Sequence, residues 1–129
     1  MKAFQLVVLA GVILAGAGSP AAAAVAPQSI LFDYEWVGDI DRIGFNEPSG
    51  IVYHTGRGTL FVVGDEGDIC EIATDGSSTK QAHIRDGDFE GVTFDPATGL
   101  LYVAIEGEER ILEIEPESFT VVREFTIGR

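Results

Sequence analysis

Carboxylates stand at matched places in two halves of this chain, and their spacing suits a hard cation. Asp88 precedes Gly91 by three residues and Glu90 precedes it by one. The matching positions before Gly50 are Glu47 and Ser49. Asp65 and Glu106 form a second matched pair, each closing a segment that begins Leu-x-Val. Side chains of this kind offer only oxygen donors. If they converge from several strands they suit calcium, which takes six to eight oxygens. Two carboxylates about 5 Å apart repel by roughly 3 kcal/mol at an effective dielectric near 20, and a bound cation relieves that repulsion. The candidate ligands are therefore Glu90, Asp88, Glu47, Asp65 and Glu106. The plainer reading of the same acids is a solvated surface.

Other chemistry finds less support. Asp86-Gly87-Asp88-Phe89-Glu90-Gly91 imitates the start of an EF-hand loop, but position 12 is Ala97 and no helical pattern flanks it. His54 occupies a turn position that Asp95 holds in the other half, so it reads as a turn residue. His83 reads as part of an outer strand. Neither a G-x-S-x-G elbow nor an H-E-x-x-H pair occurs. No residue is assigned a catalytic role. The single cysteine, Cys70, permits no internal disulfide and matches Leu112, which reads as a buried small hydrophobe.

The elements that would position these acids come from one unit written twice. Gly50-Ile51-Val52-Tyr53 returns as Gly91-Val92-Thr93-Phe94, and Gly58-Thr59-Leu60-Phe61-Val62 as Gly99-Leu100-Leu101-Tyr102-Val103. Ile69-Cys70-Glu71-Ile72 returns as Ile111-Leu112-Glu113-Ile114. Each unit reads as four short strands joined by turns, and Pro96 and Gly99 mark the first turn of the second. Repeats of this length built only of strands predict an all-β fold of β-propeller blades. The predicted layout is a partial propeller over 30–129, with a strand at 30–37, one blade at 47–84 and another at 88–127. A propeller needs at least about four blades to close. Two blades predict a truncated product, or an open piece that must assemble to cover its apolar faces.

The N-terminus reads as an export signal. Lys2 precedes an apolar run from Phe4 to Ala17, and Ala21 to Ala24 supplies small residues for cleavage. The expected leader is 1–24, followed by a linker at 25–29; an uncleaved N-terminal membrane anchor is the alternative. The chain of 129 residues carries 21 acidic and 8 basic side chains, a net charge of −13. That balance argues against nucleic acid and against an anionic membrane surface as partners.

At Glu47-Pro48-Ser49-Gly50-Ile51, Gly64-Asp65-Glu66-Gly67 and Asp88-Phe89-Glu90-Gly91-Val92, the sequence resembles the SdiA-regulated (YjiK/CarP-like) family. It is similar to the first two blades of that family's propeller, over about residues 30–127. The resemblance implies a six-bladed propeller linked to calcium, in the periplasm or on the outer face of the inner membrane, with peripheral or N-terminal membrane association. It supplies no settled reaction. The expected function is a non-enzymatic binding or calcium-linked envelope protein; the alternative is a metal-dependent ester or phosphoester hydrolase.

Overall fold

The structure, a computed structural model, describes residues 5–9 and 34–128. The expected leader and linker therefore lie outside the described residues except for β1, Gln5–Leu9, and so does the start of the strand expected over 30–37. β2, Tyr34–Asp39, is the described part of that strand and pairs antiparallel with β1. A 3-10 turn, Ile40–Ile43, follows. Among the described residues no helix is long and apolar enough to cross a membrane.

The two repeats form two four-stranded antiparallel sheets. The first holds β3 (Pro48–His54), β4 (Thr59–Gly64), β5 (Asp68–Ile72) and β6 (Ser78–His83), in that order. The second holds β7 (Phe89–Phe94), β8 (Leu101–Ile105), β9 (Arg110–Glu115) and β10 (Thr120–Thr126), also in chain order. β3 begins at Pro48, which already pairs with Gly64. Proline is tolerated at the first position of a strand, where its missing N–H breaks no ladder.

Alternation along the strands explains how the sheets stack. Side chains of successive strand residues point to opposite faces. Phe61, Val63 and Ile69 leave the first sheet on one face and meet Leu101, Val103, Leu112 and Ile114 of the second, together with Phe89 and Phe119. Leu60, Val62, Cys70 and Ile72 leave on the opposite face and meet Ile40, Phe45 and Ile43. β4 is thus covered on both sides, which is why it reads as a continuous apolar run. Cys70 is fully buried in this second cluster, as its match to Leu112 predicts.

Polar groups lock the interface between the sheets. Glu71 is buried, and its carboxylate accepts from Arg57 Nε at 2.8 Å and Thr59 Oγ1 at 2.7 Å. Burial alone would raise its pKa, but these bonds outweigh burial and hold it below the usual carboxylate range. Arg57 also reaches Glu117 of the second sheet at 2.8 Å. Lys80 Nζ donates to Pro116 O at 2.9 Å and to Glu117 O, and stands 4.1 Å from the centre of the Phe119 ring.

His54 is the clearest departure from the sequence reading. Its ring does not hold its own turn. It is 4% exposed, stacks on Phe94 with ring centres 4.4 Å apart, and bonds through Nε2 to Gly99 O at 2.9 Å. In the second repeat Asp95 holds its own turn, accepting from Ala97 N and Thr98 Oγ1. Histidine at this position ties the first sheet to the second sheet's hairpin instead. His54→Phe keeps the stacking but leaves Gly99 O without its donor. The expected loss is about 1–2 kcal/mol in urea unfolding, from one half-buried carbonyl left unsatisfied. An unchanged midpoint would show that packing alone holds this corner.

Candidate metal centre

Backbone geometry brings the acids to one rim. Asp65 N donates to Glu47 O at 3.1 Å, and at the matching place Glu106 N donates to Asp88 O at 2.8 Å. The same bond in both repeats ties the start of β3 and of β7 to the end of the neighbouring strand. Both β3 and β7 also carry a bulge there. Register shifts between Pro48 and Gly50 in β3 and between Phe89 and Gly91 in β7. The extra residues are Ser49 and Glu90. A bulge re-aims the side chain it carries, and these two are re-aimed at the junction of the sheets.

What each does there depends on its type. Ser49 Oγ donates to Val63 O at 3.2 Å and contacts Phe89 O as a donor, joining β3 to β7. The close approach makes a side chain at Gly50 a tight fit, since a Cβ there would stand 3.0 Å from Glu90 O and 3.1 Å from Gly91 Cα. Glu90, carrying a carboxylate where the first repeat has a hydroxyl, meets two further acids. Asp65, Asp88 and Glu90 each offer a carboxylate oxygen, and these atoms lie within 4.8 Å of one another. Asp88 Oδ1 is shut off from solvent and has no hydrogen-bond partner among the described residues.

Electrostatics follow from this crowding. Loss of hydration, then the charges of Asp65 and Glu106, raise the pKa of Asp88 above the ordinary carboxylate value. Loss of hydration, then Glu106, Asp88 and Asp65, raise that of Glu90. Glu106 therefore belongs to the rim through its field, although it is not one of the three convergent ligands. Glu47 contributes its backbone carbonyl, at a positive φ of 47°, and its carboxylate also lies outside the trio. Three carboxylates with one orphaned oxygen fit a hard divalent cation. Calcium prefers carboxylate and carbonyl oxygens and tolerates irregular geometry.

The histidines sit elsewhere. His83 pairs through Nδ1 with Asp68 at 2.9 Å and through Nε2 with Asp86 at 3.3 Å. A cavity of about 330 Å³ beside it, lined by Gly44, Phe45, Asp68, Gln81, Ala82 and His83, shares no residue with the trio. The bulges and the role of Ser49 escape a sequence reading. Their one signal is the break in the repeat, serine against glutamate before a shared glycine.

No protein-family model matches the chain, and no curated protein matches it in sequence. Among solved structures, a protein of unknown function from Bacteroides caccae is similar, with a TM-score of 0.51 and 21% sequence identity. The match covers 59% of this chain and 27% of that one. A likeness at this identity is one of fold, and the matched part of this chain spans about a quarter of that protein's length.

Proposed function

We propose that this chain is part of an exported, envelope-associated β-propeller of the SdiA-regulated type, and that it binds calcium at the rim formed by Asp65, Asp88 and Glu90. Two four-stranded sheets of the same repeat, the front of the first stacked on the back of the second with β3 and β7 side by side, support the blade reading. The basic residue and apolar run at the N-terminus support export. A six-bladed ring follows from the family resemblance. The observations that carry the cation are the convergence of three carboxylates, from Asp65, Asp88 and Glu90, and the presence on one of them of an oxygen, Asp88 Oδ1, with neither water access nor a donor among the described residues. Uncompensated, such an arrangement is repulsive, and a cation turns the repulsion into ligation. The role is one of binding; His54 and His83 are engaged in contacts away from the rim, so the hydrolase alternative gains no specific support.

Calorimetric titration of calcium into the full chain tests this directly. The expected result is a saturable one-site isotherm that disappears in the Asp65→Asn, Asp88→Asn, Glu90→Gln variant. Retained binding in that variant would move the site away from the rim. No binding to either protein would end the cation reading for this chain.

A further inference from the structure

Asp88 reaches the rim on a crossover, residues 84–88, that carries the chain from β6 of the first sheet to β7 of the second. Three fastenings hold this crossover. On the side of the first sheet, Ile84 N donates to Gly67 O at 3.0 Å. His83 contacts Asp68 of the same sheet and Asp86 of the crossover. Both fastenings tie the crossover to the sheet it leaves. Neither sets its distance from Glu106, which follows the end of β8 in the second sheet. The third fastening does. Arg85 Nη2 donates to both carboxylate oxygens of Glu108, at 3.0 and 3.2 Å, and Nη1 stands 3.5 Å from Glu124 of β10. Glu108 lies in the turn after β8, two residues beyond Glu106. Arg110 closes the set, pairing with Glu108 at 3.8 Å and with Glu124. Two cations and two anions thus alternate between the crossover and the second sheet. The backbones are close there as well. A Cβ at Gly87 would stand 3.3 Å from Ile105 Cγ2 and 3.8 Å from Glu108 Oε1.

We propose that Arg85 is the positioning residue of the rim, holding Asp88 against the turn that carries Glu106 through its bonds to Glu108. Its guanidinium is taken up by Glu108 and Glu124, neither of which belongs to the convergent trio, so it acts on Asp88 through the crossover. The consequence for calcium rests on the cation reading of the rim; the placing of Asp88 does not. A mere charge and a positioning residue have opposite signatures here. If Arg85 mattered only as a positive charge, its removal would deepen the negative field and tighten calcium binding. As a positioning residue, its removal frees Asp88 and weakens binding, by on the order of ten- to a hundredfold, the usual loss when a group supporting a metal ligand is removed.

The test uses the full chain with Arg85→Gln, and with Glu108→Gln as a second variant that removes the other partner at a half-buried position. Hydrogen exchange at two amides is followed in chelator. Glu106 N–H bonds to Asp88 O and reports the crossover. Asp65 N–H bonds to Glu47 O at the matching place of the first repeat and is the internal reference. In both variants Glu106 N–H is expected to exchange faster than in the parent chain while Asp65 N–H keeps its rate. The double variant is expected to add little to either single one, because both remove the same bond. Unchanged exchange at Glu106 overturns the proposal. So does equal acceleration at both amides, which would make Arg85 a general support of the fold. Calcium titration then supplies the sign: weaker binding by Arg85→Gln is expected, and unchanged or tighter binding overturns the positioning role. A parent chain that binds no calcium removes the cation reading alone, since exchange at Glu106 still decides whether Arg85 places Asp88.

Discussion

Gly67→Ala is expected to destabilise the chain by on the order of 3–5 kcal/mol and to dismantle the acidic rim with it. Two costs combine. Gly67 lies at a φ of +80°, a region that costs an L-residue about 1–2 kcal/mol. A Cβ there would also stand 1.7 Å from Arg85 O and 3.2 Å from Gly87 O. Both neighbours are backbone, so a side-chain shift cannot relieve the overlap. The chain from Arg85 to Asp88 must move away, and the bond from Ile84 N to Gly67 O, 3.0 Å long, breaks with it. That segment delivers Asp88 to the rim, while the turn through Gly67 delivers Asp65. Gly107→Ala is the control. Gly107 has a similar φ of +74° in the turn after β8, but a Cβ there meets nothing within 4 Å. Its expected cost is the conformational term alone, about 1–2 kcal/mol. Equal losses for the two variants in urea unfolding would show that φ, and not the approach of Arg85, governs Gly67.

The contrast between these glycines also shows which parts of the molecule are legible in the sequence. Strand positions are local properties, and the short apolar run Leu60 to Val63 and the turn residues around it place β4 and β5 to within a residue or two. Burial of Cys70 follows from its match to Leu112. Contacts between the repeats are another matter. His54 looks like a turn residue because its neighbours in sequence are turn residues; its ring partner Phe94 and its acceptor Gly99 belong to the other sheet. The same holds for the rim. Matching of Asp65 with Glu106 and of Glu47 with Asp88 is visible in the repeat. That Asp65 meets Asp88 and Glu90 of the next sheet is decided by how β3 packs on β7 and by the two bulges. Spacing along a chain carries no information about a bulge whose only trace is a serine opposite a glutamate.

Calcium is expected to stabilise the full chain far more at pH 7 than at pH 4.5, and the sign of that difference follows from the carboxylates. Asp88 and Glu90 have folded-state pKa values above those of free carboxylates. For a group raised on folding, the stability it contributes is fully present below the unfolded pKa, about 4, and is lost as pH rises through the folded value. At neutral pH the empty rim therefore opposes folding. Glu71, Asp75 and Glu115 are lowered on folding and act in the opposite sense, losing their contribution as pH falls. A pH profile of the chain alone mixes both groups. The calcium increment does not, because only the rim carboxylates exchange a proton for the cation. A cation that binds only the folded state adds about 2.7 kcal/mol at a hundredfold excess over its dissociation constant. For a domain of this size that is a rise of roughly 10 °C in melting temperature. Protonation at pH 4.5 competes with the cation and should remove most of the rise. Asp88→Asn is the decisive variant: it deletes the charge whose oxygen is orphaned, so it should stabilise the chelated chain at pH 7 and abolish the calcium increment together. A calcium increment that survives this substitution, or that is as large at pH 4.5 as at pH 7, would place the bound ion on solvated surface acids instead of on the rim where the two repeats meet.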